Sequence, residues 1–271
     1  MSKISVITIN YNNALGLEKT MQSVLAQNFD DYEYIVIDGA STDGSIEIIR
    51  KLELQVTYWI SEPDSGIYNA MNKGIKKASG DFLLFLNSGD FFTDNEVLSD
   101  FVKVVKPQTE LCSGNLWLSG RNGEEQKLTP PAELTLHNCI EKGLLHPATF
   151  IRRDLFHKYG LYNEQNRIVS DWEFFLLVGG LHSVNYQSID RDIARFDTDG
   201  ISSLNQVLLR KETKEVLDKL IPLPIRRDME RLSEFEKLAN DKVLLNLDMV
   251  KQHKMLFRLL SFIIKVLSKF S

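Results

Sequence analysis

Residues 4–52 read ISVITINYNNALGLEKTMQSVLAQNFDDYEYIVIDGASTDGSIEIIRKL, and the change of hydrophobic period within this stretch decides the fold class. ISVITI at 4–9 is short, β-branched and apolar on both faces; after NYNN, Leu17, Met21, Val24 and Leu25 recur at helical spacing. A second apolar run at 34–37 ends in DGASTDGS and gives way to Ile46, Ile49 and Leu52 at the same spacing. The unit then repeats. VTYWIS at 56–61 is followed by the turn EPDSG, by a helix placing Ile67, Met71, Ile75 and Ala78 on one side and stopped by Gly80, and by LLFLN at 83–87. Strands apolar on both faces and separated by helices belong to a parallel sheet covered on both sides, joined by right-handed crossovers. The expectation is an open, mostly parallel α/β sheet flanked by helices.

The composition agrees. The 271 residues are 43% hydrophobic and 25% charged, which suits a globular chain and excludes disorder, a collagen-like fibre and a membrane bundle. Two cysteines, Cys112 and Cys139, are too few for a disulfide framework, and MSKISVITINYNN has neither an apolar signal core nor a cleavage site, so the reading predicts a cytoplasmic protein with reduced thiols. The net charge of −5 divides unevenly. Residues 249–271 hold Lys251, Lys254, Arg258, Lys265 and Lys269 with no acid; removing those five from the 32 basic residues leaves 27 against 37 acidic, or −10, for the body. An acidic body argues against nucleic acid as a partner, because duplex affinity rests on Lys and Arg contacts to phosphate.

In open α/β sheets ligands sit at the carboxyl ends of the strands. Those ends are polar here: Thr8, Asn10, Tyr11 and Asn12; Asp38, Ser41, Thr42 and Asp43; Glu62 and Asp64; Asn87, Ser88 and Asp90. Taken singly, Asn13 or Asp43 reads as a helix N-cap and Asp64-Ser65-Gly66 as a turn. Four clusters at one edge point instead to a binding site. Its carboxylates would repel a bare phosphate, a sign that a divalent magnesium or manganese ion with oxygen ligands reverses. No Walker loop and no GxGxxG follows the first strand, and the five histidines (137, 146, 157, 182 and 253) are scattered without zinc spacing.

VITINYNN, IVIDGASTDGS, EPDSGIYNAMNKGIKKASGDFLLFLNSGD, HPATFIRRDLF and SDWEFFL stand in an order and spacing that resemble the inverting nucleotide-sugar glycosyltransferases of family 2. The likeness runs from about residue 3 to about residue 203. It implies a GT-A fold over residues 1–203, with a nucleotide-binding half at 1–110, an acceptor-binding half at 111–203 and a helical extension at 204–271. It also implies that Thr8, Asn10, Tyr11 and Asp38 lie near the base and ribose, that Asp64, Asn72 and Asn87 line the donor site, and that Asp90 binds the Mn2+ or Mg2+ ion bridging the diphosphate. The chain departs from the family twice: Asp38-Gly39 stands where Asp-Asp is common, and Asn87-Ser88-Gly89-Asp90 replaces a block richer in carboxylates.

An inverting transfer is a single in-line displacement at the anomeric carbon, and the acceptor hydroxyl needs a base to take its proton. SDWEFF at 170–175 resembles the family block that holds it, which makes Asp171 the candidate and Glu173 the second choice; residues i and i+2 of a helix lie about 200° apart, so only one of them points inward. From local sequence alone, Asp171 as an N-cap is the other reading. His146 resembles a histidine that faces the acceptor, with a buried structural histidine as the alternative. FDTDGISS at 196–203 resembles a loop over the diphosphate, Gly200 supplying backbone N–H groups and Ser202 a hydroxyl; a plain glycine turn explains it too.

Beyond residue 203 helices are expected at 204–220, at 225–250 after a break at Pro222 and Pro224, and at 251–269. The last places Lys254, Arg258, Ser261, Lys265 and Ser268 as a polar stripe on an apolar cylinder, short of the ~18 uninterrupted apolar residues of a spanning helix. That is the composition of a helix lying in a membrane interface; packing on the body or on a second copy, a homodimer, is the alternative. The leading expectation is therefore a metal-dependent glycosyltransferase, peripheral at the inner face of the cell membrane, that moves a sugar from a nucleotide-sugar donor to a saccharide or lipid-linked acceptor in cell-surface polysaccharide synthesis. A nucleotidyltransferase and a non-catalytic nucleotide-sugar-binding relative are the alternatives.

Overall fold

The computed structural model describes residues 3–119, 124–141, 143–197 and 205–239. The first half alternates as read: β1 (Ile4–Asn10), α1 (Ala14–Leu25), β2 (Tyr32–Asp38), α2 (Ser45–Leu52), β3 (Tyr58–Ser61), α3 (Ile67–Lys77) and β4 (Phe82–Phe85). All four strands are parallel, and their register aligns Asn10 with Asp38 and Asp38 with Ser61 at the carboxyl edge.

The second half is mixed. It contributes β5 (Phe91–Phe92), α4 (Val97–Val104), β6 (Leu111–Ser119), β7 (Glu125–Leu128), α5 (Leu136–Glu141), β8 (Thr149–Arg152), α6 (Arg153–Tyr159), α7 (Ser170–Phe175), which continues as π-helical Leu176–Leu181, and β9 (Tyr186–Asp197). The strands form one sheet in the order β3-β2-β1-β4-β8-β6-β9-β5, with β7 on β6. The short β8 runs antiparallel to both β4 and β6 and so joins the parallel half to the second half. The expected open sheet flanked by helices is therefore present, parallel in its first half and mixed in its second.

Each strand feeds two cores, because alternate side chains face opposite sides of the sheet. Ile4, Val6, Tyr34, Val36, Phe82 and Leu84 pack with Leu17, Met21 and Phe101 on one side. Ile7, Ile9, Ile35, Ile37, Leu83 and Phe85 pack with Met71, Ile75, Phe174 and Phe175 on the other. Each fully buried side chain of this kind contributes about 1.5–3 kcal/mol, enough to fix the register that lines up the strand ends. On the second side α3 comes close to β1 at Gly74, where a Cβ would stand 2.5 Å from Ile7 Cγ2.

The chain forms two compact units, Met1–Val216 and a second beginning at Leu217, and α8 (Gln206–Leu220) crosses that point. The next helix, α9 (Leu223–Ala239), starts two residues earlier than read, with Pro224 inside its first turn, where a missing N–H costs nothing. No described helix is long and apolar enough to cross a membrane. The basic segment 251–271 lies outside the described residues.

Candidate active site

The ends of β1, β2 and β3 close on one buried carboxylate. Asp38 is fully buried, and it accepts hydrogen bonds from Asn10 Nδ2 (2.8 Å), Ser41 N (2.9 Å), Ser41 Oγ (2.6 Å) and Ser61 Oγ (2.6 Å). Burial pushes its carboxyl up, but the donors from Ser41, Ser61 and Asn10 more than reverse this and hold it below the ordinary carboxylate range. Asp38 is thus a fixed negative charge that ties three strand ends together. Asn10 Oδ1, on the same network, is buried and accepts no hydrogen bond.

Around that centre the local readings and the site reading both hold. Asn13 caps α1 by accepting from Gly16 N at 3.1 Å, Asp43 accepts from Ala14 N at 2.8 Å and from Ser45, and Asp64 accepts from Gly66 N at 2.9 Å. Tyr11 is 67% exposed beside them. At Gly39, where the family often carries a second carboxylate, a side chain would have to displace Asp64: a Cβ would lie 2.6 Å from Asp64 Oδ2 and 3.1 Å from Tyr11 Cδ2. The Asp64 carboxylate occupies the space that a residue 39 side chain would fill. Thr8, expected at this rim, sits below it in the core, fully buried and accepting from the Tyr34 hydroxyl at 3.0 Å.

The turn after β4 is clamped by α1. Thr20 Oγ1 donates to Asp90 O at 2.6 Å and accepts from Gly89 N at 3.0 Å, and Asn13 Nδ2 donates to Ser88 O at 2.9 Å. Gly89 takes φ +110°, a left-handed conformation that favours glycine, which accounts for one of the two lost carboxylates. Asp90 was expected at an open sheet edge; instead it is 3% exposed, and its Oδ2 accepts from Asn87 N at 3.2 Å. Asn87 Oδ1 is buried and takes no hydrogen bond. Among the described residues no group of three or more His, Cys, Asp or Glu side chains is arranged to hold a metal ion. One carboxylate and one unsatisfied amide oxygen on a single turn nevertheless fit a magnesium or manganese ion that takes the rest of its shell from substrate phosphates and water.

Asp171 lies in the first turn of α7, half-buried, and its Oδ1 accepts from the Tyr68 hydroxyl at 2.7 Å. The same hydroxyl is 2.6 Å from Ile168 O, so its single proton serves one acceptor at a time. Burial, and then the charge of Asp171, push the Tyr68 phenol well above its ordinary value. Tyr68 is the second residue of α3, whose N-cap Gly66 is held by Asp64. This brings the Asp171 carboxylate against the helix that starts from the end of β3, the same sheet edge as the strand-end network.

Behind it stands an aromatic wall. His146 is buried, stacks on Phe85 with 4.9 Å between ring centroids, and has Nε2 3.0 Å from Tyr162 Oη. Burial lowers its pKa, the Asp171 charge opposing, so the ring is neutral near pH 7 and supplies no cation for a diphosphate. Glu173, two residues on and buried, has different partners: its Oε2 accepts from Asn163 Nδ2 (3.2 Å) and Asn166 Nδ2 (2.7 Å). Asn72, expected in the donor pocket, is 2% exposed: Nδ2 donates to Tyr162 O and Glu164 Oε1, and Oδ1 accepts from Tyr162 N. Asn72 and Glu173 therefore both hold the segment 162–166. Gly200 and Ser202 lie outside the described residues.

The sequence reading missed Tyr68 and Tyr162. Tyr68 falls beside Ile67 and Met71 in a helix and reads as core, and its partner is 103 residues away. No local pattern marks either residue.

Residues 5–167 match the model of the glycosyl transferase family 2. An uncharacterized glycosyltransferase of Mycobacterium tuberculosis is 35% identical over 206 residues, covering 74% of this chain and 77% of the relative. A PGL/p-HBAD biosynthesis glycosyltransferase of Mycobacterium bovis is 28% identical over 63% of this chain and 67% of its own. Among solved structures, S. aureus TarS 1–349 in complex with UDP-GlcNAc superposes with a TM-score of 0.65 at 21% identity, over 79% of this chain and 64% of that one. The mannosyltransferase PcManGT from Pyrobaculum calidifontis, with GDP-Man and Mn2+, gives 0.61 at 15% identity, over 84% of this chain and 68% of that one. The chain thus spans less than two thirds of the TarS fragment, and these two structures are similar to it in fold. The chain belongs to glycosyl transferase family 2 and is a glycosyltransferase of GT-A fold; the nucleotidyltransferase alternative falls with that finding.

Proposed function

We propose that this family 2 member moves a sugar from a nucleotide-sugar donor, a UDP-sugar, to a saccharide or lipid-linked saccharide acceptor, with inversion at the anomeric carbon, in building a cell-surface polysaccharide. The single observation that carries the reading is the Asp171 carboxylate, half-buried and held by Tyr68 at the sheet edge where the Asp38 network ends. Nucleotide-sugar and Mn2+ complexes of proteins with similar folds support the donor class and the metal.

In this reading Tyr11, Asn10, Asp38 and Asp64 receive the nucleoside, with Tyr11 offering an exposed ring and Asn10 Oδ1 an unsatisfied acceptor. Asp90 and Asn87 Oδ1 would hold a Mn2+ or Mg2+ ion, which when bound neutralises the charge of the leaving diphosphate. Asp171 takes the proton from the acceptor hydroxyl as that oxygen attacks the anomeric carbon from the face opposite the leaving group. Tyr68 orients the carboxylate, and the neutral wall of His146, Phe85 and Tyr162 limits access of water to it. Gly200 and Ser202 are assigned to the diphosphate, and the basic segment 251–271 to peripheral attachment at the inner membrane face.

The test is transfer from a panel of nucleotide sugars, with and without manganese, to lipid-linked and water-soluble acceptors, with the anomeric configuration of the product read by NMR. Transfer with inversion from a UDP-sugar, lost in Asp171→Asn, is the expected result. Retention of configuration, or full activity of Asp171→Asn, overturns the reading.

A further inference from the structure

We infer that Glu212, on the helix that follows the last strand, is a positioning residue for Asp171. The inference rests on Asp171 as the base, and it concerns a side chain more than 40 residues away in sequence that touches neither donor nor acceptor.

The only residues of α8 that are buried among those described are Glu212 and Val216, which lie on one face at i and i+4. Leucine at 212 would bury more apolar surface at no electrostatic cost. A carboxylate that is 5% exposed must be matched to donors or it destabilises the fold. Its two oxygens are spent on two consecutive peptide N–H groups: Arg167 N donates to Oε1 at 2.8 Å and Ile168 N to Oε2 at 2.9 Å. The grip is bidentate, so it fixes the orientation of that backbone as well as its position.

The second of the gripped residues, Ile168, also turns its carbonyl toward the base. Ile168 O lies 2.6 Å from the Tyr68 hydroxyl, and that hydroxyl is 2.7 Å from Asp171 Oδ1. Two residues later α7 begins with no side-chain N-cap of its own. The segment held by Glu212 runs directly into that first turn. Asn163 N donates to Ser170 Oγ at 2.6 Å, and Glu173 accepts from Asn163 and Asn166, which closes the segment on itself. Asn72 anchors its leading end on α3 and Glu212 its trailing end on α8. Without Glu212, residues 167–169 lose the contact that aims Asp171, and the proton of Tyr68 is no longer shared between two fixed acceptors.

The experiment is a double-mutant cycle of Glu212→Ala with Asp171→Asn, read as single-turnover transfer with excess full-length enzyme and, separately, as nucleotide-sugar binding by thermal shift. Glu212→Ala is expected to lower the transfer rate about 10- to 100-fold, the scale of a misplacement near 1 Å, with donor binding within about twofold. In the Asp171→Asn background the same substitution should lower the residual rate less than about twofold, since its route of action is already gone. Glu212→Gln keeps the volume and one acceptor oxygen while setting an NH2 against a peptide N–H. It should fall between Glu212→Ala and the parent enzyme, and it replaces Glu212→Ala in the cycle if the alanine variant does not fold. A parent-like rate for the Glu212 variants beside an inactive Asp171→Asn overturns the inference, as does an equal loss in both backgrounds, which marks a general structural role. Full activity of Asp171→Asn overturns the functional reading instead.

Discussion

The strand-end edge proposed for the donor and the patch that carries the proposed base, Asp171, are built by different means. Around Asp38 the polar side chains bond mostly within their own turn or to the neighbouring strand end, Asn13 to Gly16, Asp43 to Ser45, Asp64 to Gly66 and Asn10 to Asp38, whereas the turn that carries Asp90 is held from α1 by Asn13 and Thr20. At the base patch the links join segments far apart in the chain, Tyr68 to Asp171 across 103 residues, Asn72 to Glu164 across 92 and Arg167 to Glu212 across 45. Caps and turns of the first kind form with the sheet itself. Contacts of the second kind exist only after the second half has packed, because the entropy of closing those loops must be met by other burial first. Donor binding should therefore survive damage to the patch, while transfer should respond to changes well away from Asp171.

The largest effect should come from the base. Asp171→Asn is expected to lower transfer at least about 100-fold, the lower end for loss of a general base, while leaving nucleotide-sugar affinity nearly unchanged. Isothermal titration beside single-turnover kinetics separates the two. Glu173→Gln breaks the comparison in another way: it frees the 163–166 segment, so its main loss should be thermal stability, and a base-like kinetic signature in that variant would move the proton-acceptor role to Glu173.

The donor edge can be broken with one charge. Asn in place of Asp90 can still accept from Asn87 N, so the turn and the fold should persist; what disappears is the carboxylate offered to a cation. Manganese-dependent UDP affinity should fall about 10- to 100-fold, while the affinity measured without metal and the melting temperature stay close to the parent values. Equal UDP affinity with manganese in parent and variant would detach Asp90 from the metal.

The same contrast explains what could be read without coordinates. The parallel half was legible from period alone, because strands covered on both faces and helices with one apolar stripe repeat within 52 residues, and Asn10, Asp38 and Asp64 follow from where those strands stop. Thr8 misled because it is polar and near the strand end, yet it lies two residues deeper than Asn10 on the same face and meets Tyr34 in the core. Asp90 was identified by its motif but not its burial, which comes from Thr20 on a helix some 70 residues earlier. Tyr68 and Glu212 were illegible: one looks like core, the other like an ordinary surface glutamate on a polar helix, and only tertiary packing gives them partners.

A smaller effect is expected at Tyr68. Tyr68→Phe keeps the ring in its core position and removes the hydroxyl whose one proton goes to Asp171 or to Ile168 O. Transfer should fall about 3- to 10-fold, in line with the net worth of one ordinary hydrogen bond, and donor KM should not move. A parent-like transfer rate in Tyr68→Phe would reduce Tyr68 to packing.

The smallest effect is a stability slope with pH, and it tests whether the aromatic wall behaves as a neutral support. Burial depresses the folded-state pKa of His146, with the Asp171 charge acting against it. The unfolded chain carries a histidine near its usual value of about 6.5, so below that pH the unfolded state binds the proton that the folded state refuses. Stability from this residue is therefore fully present above about pH 6.5 and is lost as pH falls toward the folded value, at no more than about 1.4 kcal/mol per pH unit. Melting temperatures from pH 7.5 to 5 should decline more steeply for the parent enzyme than for His146→Gln. Asp171→Asn removes the charge that favours protonated His146, so in that variant the decline should continue to lower pH than in the parent. If the two curves instead coincide, Asp171 and His146 are not electrostatically coupled, and the patch is a set of separate contacts rather than one network.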